Sequence, residues 1–249
     1  MHPAEGGATE VLANLSIGHI VMAAFLLTAV RLVLVPSRGV IARSIAELVE
    51  SLTIAGVLVF LIIRPFFVQA FFIPSESMEP TLQGHTAGFN PLTNTTYPDT
   101  VHDHIFVNKL IYRFREPQRG DIIVFRAEKK ADKEHFDPHE KVENVLIKRL
   151  IAIPGDTIEI KGGKVYLNGK PLNEPYINRA GQPDAMRDTP HADYAVNGPL
   201  KLGPGELFVM GDNRNNSNDS RFWGTLPRDR VIGKAMFIFW PLSRIGFIR

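Results

Sequence analysis

The sequence predicts an all-β extracytoplasmic domain that two N-terminal transmembrane helices anchor to a membrane. Residues 11–30 contain no Asp, Glu, Lys or Arg, and a second charge-free run covers residues 51–63. After residue 100, apolar residues come in short runs or alternate with polar ones, which is typical of strands. With 249 residues, of which 45% are hydrophobic, the chain is large enough for a buried core.

The composition excludes several classes of protein. The net charge is +2, so the sequence predicts no nucleic-acid partner. The chain has no cysteine, which excludes disulfides, thiolate nucleophiles and cysteine-bound zinc. Two histidine pairs, at 102 and 104 and at 135 and 139, match no metalloprotease signature. We therefore predict neither a metal nor another cofactor.

The first predicted transmembrane helix covers residues 11–35, because a spanning helix needs about 20 mostly apolar residues. A cleaved signal peptide would begin with a basic region, whereas residues 1–10, MHPAEGGATE, contain two glutamates and no Lys or Arg. We therefore expect the helix to remain in the protein, with residues 1–10 as an extracytoplasmic tail.

The second predicted transmembrane helix covers residues 46–64. Its charge-free core, SLTIAGVLVFLII, is short for a span, so the prediction extends it toward Glu47 and Glu50, which could lie at the interface. Pro65 then ends the helix, because proline cannot continue the backbone hydrogen bonds.

Residues 36–45 connect the two predicted helices. Positive charge in and beside this connection comes from Arg31, Arg38 and Arg43, whereas the preceding residues contain no Lys or Arg. The positive-inside rule therefore places residues 36–45 in the cytoplasm and residues 65–249 outside it.

The extracytoplasmic part contains two hairpin signals and one charged stretch. Gly162-Gly163 and Asn168-Gly169 are typical of tight turns between strands. The stretch at 126–144 is rich in charge and predicts a solvated loop, to which we assign no function.

Two serines, Ser75 and Ser77, lie in IPSESMEPTL between Pro74 and Pro80. Proline and serine are common in turns, so a turn without chemistry is one interpretation. A nucleophilic serine would need a neighbouring histidine, lysine or N-terminal amine to take its proton.

Lys148 is a candidate for that base. In VENVLIKRLIAIPGD, the alternation of a strand places Lys148 on one face and Arg149 on the other, both among apolar residues. A buried lysine can lose its proton because desolvation lowers its pKa, whereas arginine stays charged. The alternative is a lysine whose amine reaches solvent at a strand edge.

A third segment, GDNRNNSNDSRFWG, is polar from Gly211 to Arg221. If it is extended, Ser217, Asp219 and Arg221 share one face and offer a hydroxyl and an ion pair. The alternative is an exposed loop rich in turn-forming residues.

Together and in this order, IPSESMEPTL, RGDIIVF, IKRLIAIPGD and GDNRNNSNDSRFWG resemble the type I signal peptidases of bacteria, supported by the C-terminal PLSRIGFIR. The two-helix topology resembles the Gram-negative form. The resemblance implies a membrane-bound serine endopeptidase that removes signal peptides from translocated preproteins at A-x-A-like sites. It implies a multi-pass protein of the bacterial inner membrane, with its catalytic domain on the periplasmic side.

The resemblance also implies partners and residue roles. Preprotein signal peptides and membrane lipid are the implied partners, and the secretion machinery is a further candidate. Ser77 matches the nucleophile and Lys148 the general base. Ser75, with the backbone N–H of Ser77, matches the oxyanion hole. The last motif supplies a hydroxyl that orients the lysine and a structural ion pair, which match Ser217, Asp219 and Arg221.

Substrate pockets and a membrane-facing surface are implied as well. The matching pocket positions carry apolar side chains, which packing residues would resemble: Phe71, Ile73, Met78, Leu82, Val124 and Ile147. The family carries a small β-hairpin domain, which we place around 157–208. FFVQAFFI and Trp240 would form an apolar surface at the bilayer interface.

Two alternatives to a signal peptidase are open. A non-catalytic, membrane-anchored β-scaffold that binds envelope peptides or partners would need neither Ser77 nor Lys148. A self-cleaving Ser/Lys regulator of the repressor type usually carries a DNA-binding domain, and two predicted membrane spans argue against it.

Overall fold

The protein is described from a computed structural model, in which the chain forms two compact units, Met1–Ala70 and Phe71–Arg249. The predicted tail at 1–10, most of the charged stretch at 126–144, and Arg38 lie outside the described residues. The structure describes residues 17–36, 39–63, 67–90, 95–127, 145–177 and 198–249.

The first unit is helical, with α1 (Ile17–Leu34), α2 (Val40–Val57) and a π-helix (Leu58–Ile63). Arg31 of α1 forms an ion pair with Glu50 of α2 at 2.7 Å. The second helix begins earlier than the predicted residue 46, because Gly39 is extended and no proline or glycine follows until Gly56.

The predicted spans at 11–35 and 46–64 are therefore only partly matched by helix bounds. Within residues 17–63, the described helices do not combine the length and apolar character that crossing a membrane requires. The two transmembrane helices are thus not confirmed. The predicted cytoplasmic connection at 36–45 stays a prediction, and its last residues already belong to α2, which begins at Val40.

The second unit is built from strands, and the predicted all-β class is confirmed for it. Among its described residues, the α-helices are single turns, α3 (Ile111–Phe114) and α4 (Ser220–Trp223). The strands in chain order are β1 Val68–Phe72, β2 Gly84–His85, β3 Gly88–Asn90, β4 Thr95–Tyr97, β5 Val101–His102, β6 His104–Asn108, β7 Ile122–Arg126, β8 Val145–Ala152, β9 Thr157–Lys161, β10 Lys164–Leu167, β11 Lys170–Pro171, β12 Leu200–Lys201, β13 Glu206–Met210, β14 Leu226–Pro227, β15 Val231–Trp240 and β16 Gly246–Phe247.

The main sheet has eight strands in the order β1-β6-β15-β7-β8-β13-β14, and β16 pairs with β15. Strand β8 lies between β7 and β13, and both pairings are antiparallel. When apolar residues pack on both sides of a sheet, an interior strand is covered on both faces. Strand β8 is such an interior strand, and its last five residues are all buried.

The two faces of the main sheet contact different cores. Ile123 and Phe125 of β7 pack in a cluster with Leu150 and Trp223. The alternate β7 residues, Ile122 and Val124, pack on the other face in a second cluster with Met78, Leu82, Ile105, Val107 and Ala235. The period-two alternation of a strand therefore explains how one apolar run, IIVF, serves both faces.

A second sheet of four strands, β11-β10-β9-β12, falls within the region where a hairpin subdomain is predicted. Both hairpin signals are turns with positive φ, as Gly162 (55°) and Asn168 (53°) illustrate. Residues 178–197 lie outside the described residues, so the predicted subdomain bounds of 157–208 stay a prediction. Its apolar residues pack with Ile151, Phe208 and Met210 of the main sheet.

Candidate active site

Ser77 lies in a 3-10 turn, Glu76–Met78, that directly follows the extended Ser75. Met78 and Leu82 have 0% exposed surface and anchor the segment in the core. The carbonyl oxygen of Ser77 accepts a hydrogen bond from the backbone N–H of Asn213 at 3.1 Å. The segment is therefore fixed at both its side chains and its backbone, and a surface turn does not describe it.

Lys148 lies in β8, and its amine contacts Ser77. Lys148 Nζ donates a hydrogen bond to Ser77 Oγ at 2.8 Å and another to the carbonyl oxygen of Ile147 at 3.0 Å. Lys148 is 4% exposed, so its amine does not reach solvent at a strand edge. The serine and the lysine are 71 residues apart in sequence, and the fold brings them together.

Burial lowers the pKa of Lys148 to about 8. The largest cause is desolvation of the ammonium; the Asp219 carboxylate opposes it and the Arg221 guanidinium adds to it. A lysine with this pKa exists partly as a neutral amine near neutral pH, and a neutral amine can accept a proton from a hydroxyl.

Arg149, on the opposite face of β8, is buried as well. Its guanidinium forms two hydrogen bonds with the Asp212 carboxylate, at 2.8 and 2.7 Å, and lies 4.0 Å from the centre of the Tyr176 ring. Arg149 is thus a paired structural cation. Asp212 was not predicted from the sequence as the partner of Arg149. Its carboxylate follows the apolar strand ELFVM by two residues, and that position was a signal that it could be buried and paired.

Ser75 lies beside the nucleophile, and its Oγ donates to Ser77 Oγ at 3.3 Å. Its backbone packs against Gly84 so closely that a Cβ on Gly84 would lie 2.4 Å from the Ser75 carbonyl oxygen. Glycine is required at 84 for this approach.

Ser217 lies near Ser77 but forms no hydrogen bond with the lysine amine. Its Oγ is buried beside the Asp219 carboxyl, whose pKa it helps to lower. A Cβ on Gly211 would lie 2.3 Å from both Ser217 Oγ and the Ser77 carbonyl oxygen. The structure therefore brings Ser217, Gly211 and Ser77 together, whereas the orienting bond to Lys148 that we expected from Ser217 is missing.

Asp219 and Arg221 form a buried, bidentate ion pair. Arg221 Nε and Nη2 donate to the two Asp219 oxygens at 2.7 and 2.8 Å, and the Gly211 N–H donates to the same carboxylate at 3.0 Å. Burial alone would raise the pKa of Asp219, but the Arg221 guanidinium outweighs it and the pKa is lowered. The polar segment is thus largely internal, and an exposed loop is the wrong description of it.

The six predicted pocket residues all belong to one apolar cluster or pack against it. Phe71 and Ile147 are partly exposed, so their side chains can meet a substrate. The other four are at most 2% exposed and act as packing residues in this state: Ile73, Met78, Leu82 and Val124.

Metal ligands are not assembled in the described part of the chain. No group of three or more His, Asp or Glu side chains is placed there to hold an ion. His102 and His104 instead pack against the Phe72 ring, with ring centres 4.8 and 5.4 Å apart. The histidines at 135 and 139 lie outside the described residues.

The chain is similar to several known signal peptidases. Signal peptidase I of Leptolyngbya laminosa is 40% identical over 184 residues, covering 74% of each chain. A probable signal peptidase I-2 of Synechocystis is 37% identical, covering 75% of this chain and 69% of that protein. Signal peptidase I of Mycobacterium tuberculosis is 36% identical, covering 80% and 74%. The signal peptidase family, peptidase S26, matches residues 45–240, and the chain therefore belongs to this family.

Proposed function

We propose that Ser77 and Lys148 are the catalytic pair with which this serine endopeptidase removes signal peptides from preproteins. The observation that carries the proposal is the 2.8 Å contact between Ser77 Oγ and a buried lysine amine whose pKa is lowered. A scaffold has no use for a desolvated lysine beside a serine, because burying an amine costs stability. The scaffold alternative is therefore not favoured.

In the proposed reaction, neutral Lys148 accepts the Ser77 proton while Oγ attacks the carbonyl carbon of the scissile bond. The Ser75 hydroxyl and the Ser77 N–H donate hydrogen bonds to the oxyanion. The C–N bond then breaks, and Lys148 returns the proton to the leaving amine. Water attacks the resulting ester, which frees Ser77 and releases the signal peptide with a carboxylate end.

Asp219 and Arg221 support this pair indirectly. Asp219 accepts the Gly211 N–H, and Gly211 packs against the Ser77 carbonyl oxygen. The buried ion pair thus holds the backbone against which Ser77 rests. We further propose that Ser217, whose Oγ is buried at the same point, hydrogen bonds to the lysine amine once a substrate is bound.

Cleavage at A-x-A-like sites follows from the shape of an extended substrate. Its alternate side chains point to the same side, so the first and third residues before the cut would face the enzyme. Phe71 and Ile147 are the partly exposed apolar residues that these side chains would meet. The buried core residues pack directly behind Phe71 and Ile147, so a pocket at this surface has room for the methyl group of alanine but not for an aromatic ring.

The purified full-length chain in detergent is expected to cut a preprotein directly after the last alanine of an Ala-x-Ala site, as product mass will show. Replacing that alanine by phenylalanine should lower kcat/KM by at least about 100-fold, since an occupied apolar site cannot expand without disturbing the core. The matched control places phenylalanine at the middle residue, which faces away from the enzyme. A folded protein that cuts none of these substrates would restore the scaffold alternative.

We also propose that the chain is a multi-pass inner-membrane protein with a periplasmic catalytic domain, as the family resemblance implies. Large apolar side chains are exposed along the first unit, among them Phe25 (74%) and Val33 (75%). Trp240 and Phe247 are also exposed in the second unit. Such side chains suit contact with lipid. The secretion machinery and the Gram-negative form remain parts of this proposal.

After expression in a bacterium, the full-length chain is expected to stay in the membrane fraction through an alkaline carbonate wash. Protease added outside spheroplasts should digest the second unit, because we place it on the periplasmic side. A cytoplasmic lipid-surface protein would serve as the control that the wash releases. Release of this chain by the same wash would contradict the integral-membrane proposal.

A further inference from the structure

A cleft of about 430 Å³ opens beside the segment that leads into Ser77. It begins at Ser75 and Glu76 and continues along the segment that follows Gly84. We call it the Glu76 cleft, and it is lined by Pro74, Ser75, Glu76, Gly84, Thr86, Ala87, Gly88, Phe89, Asn90 and Asn216.

The wall of the Glu76 cleft is built tightly against the active site. Gly84 packs on the Ser75 backbone with no room for a Cβ, and the Gly84 N–H donates to the Glu79 carboxylate at 3.2 Å. Glu79 in turn contacts His85 Nδ1 at 2.6 Å and accepts from the Tyr97 hydroxyl at 2.9 Å. The wall is therefore fixed by buried polar contacts and directly adjoins the oxyanion-forming serine.

A carboxylate is held inside the Glu76 cleft. Glu76 Oε2 accepts hydrogen bonds from Asn90 Nδ2 and from Asn216 Nδ2 at 3.2 Å, and the Tyr97 hydroxyl, which donates to Glu79, lies 3.4 Å away. These donors are neutral, so they orient the carboxylate without cancelling its charge. Within the described residues, no Lys or Arg forms an ion pair with Glu76.

The surfaces next to Ser77 differ in chemistry. Next to Lys148 lies the apolar Ile147, which suits the small apolar residues at the end of a signal peptide. Ser75 and Glu76 open instead into the cleft. A substrate extends from the scissile bond in both directions, and the proposed function assigns the residues before that bond to the apolar surface. The Glu76 cleft is the neighbouring surface that is then available for the residues after the bond.

We propose that the Glu76 cleft binds the first residues of the mature chain, and that Glu76 selects a basic residue over an acidic one there. This inference rests on the proposed function. The same carboxylate would attract the new N-terminus, since the amine that Lys148 has protonated leaves as a neutral group and becomes an α-ammonium by taking up a further proton from water. Glu76 is thus a specificity-determining residue for the leaving half of the substrate.

The test uses three preproteins with Lys, Gln or Glu as the first mature residue and an unchanged Ala-x-Ala site. The wild-type chain is expected to give a kcat/KM for the Lys substrate about five- to tenfold above that for the Glu substrate, with the Gln substrate between them. In Glu76→Gln the ratio should fall to within about twofold. The preference of the wild type for the Lys substrate over the Glu substrate should also become smaller in about 1 M salt. At that ionic strength, charges more than about 3 Å apart are largely screened.

Glu116→Gln is the matched control, because Glu116 makes the same change of charge in a side chain that is 78% exposed and paired with Arg228. It should keep the wild-type ratio. Because each ratio is taken within one variant, a general loss of activity in Glu76→Gln leaves the result interpretable. Equal rates for the Lys and Glu substrates in the wild type overturn the inference and leave the proposed function standing. Failure to cut any of the three preproteins overturns both.

Discussion

Lys148→Met is expected to lower the rate of preprotein cleavage by about 10²–10⁴-fold, the usual contribution of a general base. Methionine keeps the length of the side chain but cannot accept the Ser77 proton. Ser77→Ala should lose at least as much, and the double variant should be no slower than the slower single variant, because residues that act as one unit are not additive. Single-turnover cleavage by purified chains, with product quantified by mass, measures all three rates.

Lys148→Met is also expected to raise the melting temperature of the chain at neutral pH. The pKa of Lys148 is about 8 in the folded chain and 10.5 in its ordinary state, so the unfolded chain binds more protons between these values. The cost to folding is fully present below pH 8 and disappears as pH rises past 10.5. Methionine removes that cost, which corresponds to about 3 kcal/mol.

The lowered pKa also predicts how the rate depends on pH. Only neutral Lys148 can accept a proton, so kcat/KM should rise about tenfold per pH unit below pH 8 and level off above it. Lys164→Met, which removes an exposed lysine from β10, is the matched control and should change neither the rate nor its pH dependence. A Lys148→Met chain that cleaves within tenfold of wild type would show that the base is misassigned. A midpoint near the ordinary lysine pKa would contradict the lowering of the pKa by desolvation.

Gly211→Ala is expected to lower the cleavage rate by about 100-fold, because the added Cβ must displace the backbone of the nucleophile. The Cβ would lie 2.3 Å from the Ser77 carbonyl oxygen, and backbone atoms cannot move aside as a flexible side chain can. We also expect the free energy of unfolding to fall by about 1–3 kcal/mol, which is typical of overpacking. Cleavage kinetics and thermal unfolding of the same preparations measure both effects.

Gly203→Ala is the matched control for this clash. Its nearest neighbour would be the end of the flexible Glu206 side chain at 3.1 Å, so both activity and stability should change little. A second variant, Gly211→Ala with Ser217→Gly, removes the clash with Ser217 but keeps the clash with Ser77. It should stay slow; recovery of the wild-type rate would mean that Ser217, and not the nucleophile, is what Gly211 accommodates.

The strand pattern around Lys148 could be predicted from sequence, but its burial could not. Alternation correctly separates Lys148 from Arg149, because the direction of a side chain in a strand depends only on its position in the chain. Whether one face or both are covered depends on which elements pack on β8. Both cations are in fact buried, one beside Ser77 and the other paired with Asp212.

The helical unit shows a related limit of sequence reasoning. Apolar content predicts helices in the right part of the chain, and α1 and α2 lie there. Their bounds differ from the prediction because helix ends depend on local backbone geometry, such as the extended Gly39 before Val40. Ser217 is a similar case. The order of the motifs predicts that its hydroxyl lies close to Lys148, but which hydrogen bonds that hydroxyl forms depends on how the side chains around it pack.

The sequence by itself determined the β-rich class of the second unit, the hairpin turns and the chemical types of the site residues. These properties are local, because they follow from residue conformation and from alternation along one strand. Only the tertiary structure decided that Ser77 meets Lys148, that Gly211 supports the nucleophile and that Glu76 lies in a cleft. Such contacts join residues 71 to 140 positions apart, and their free energy comes from burial against neighbours that no short segment contains.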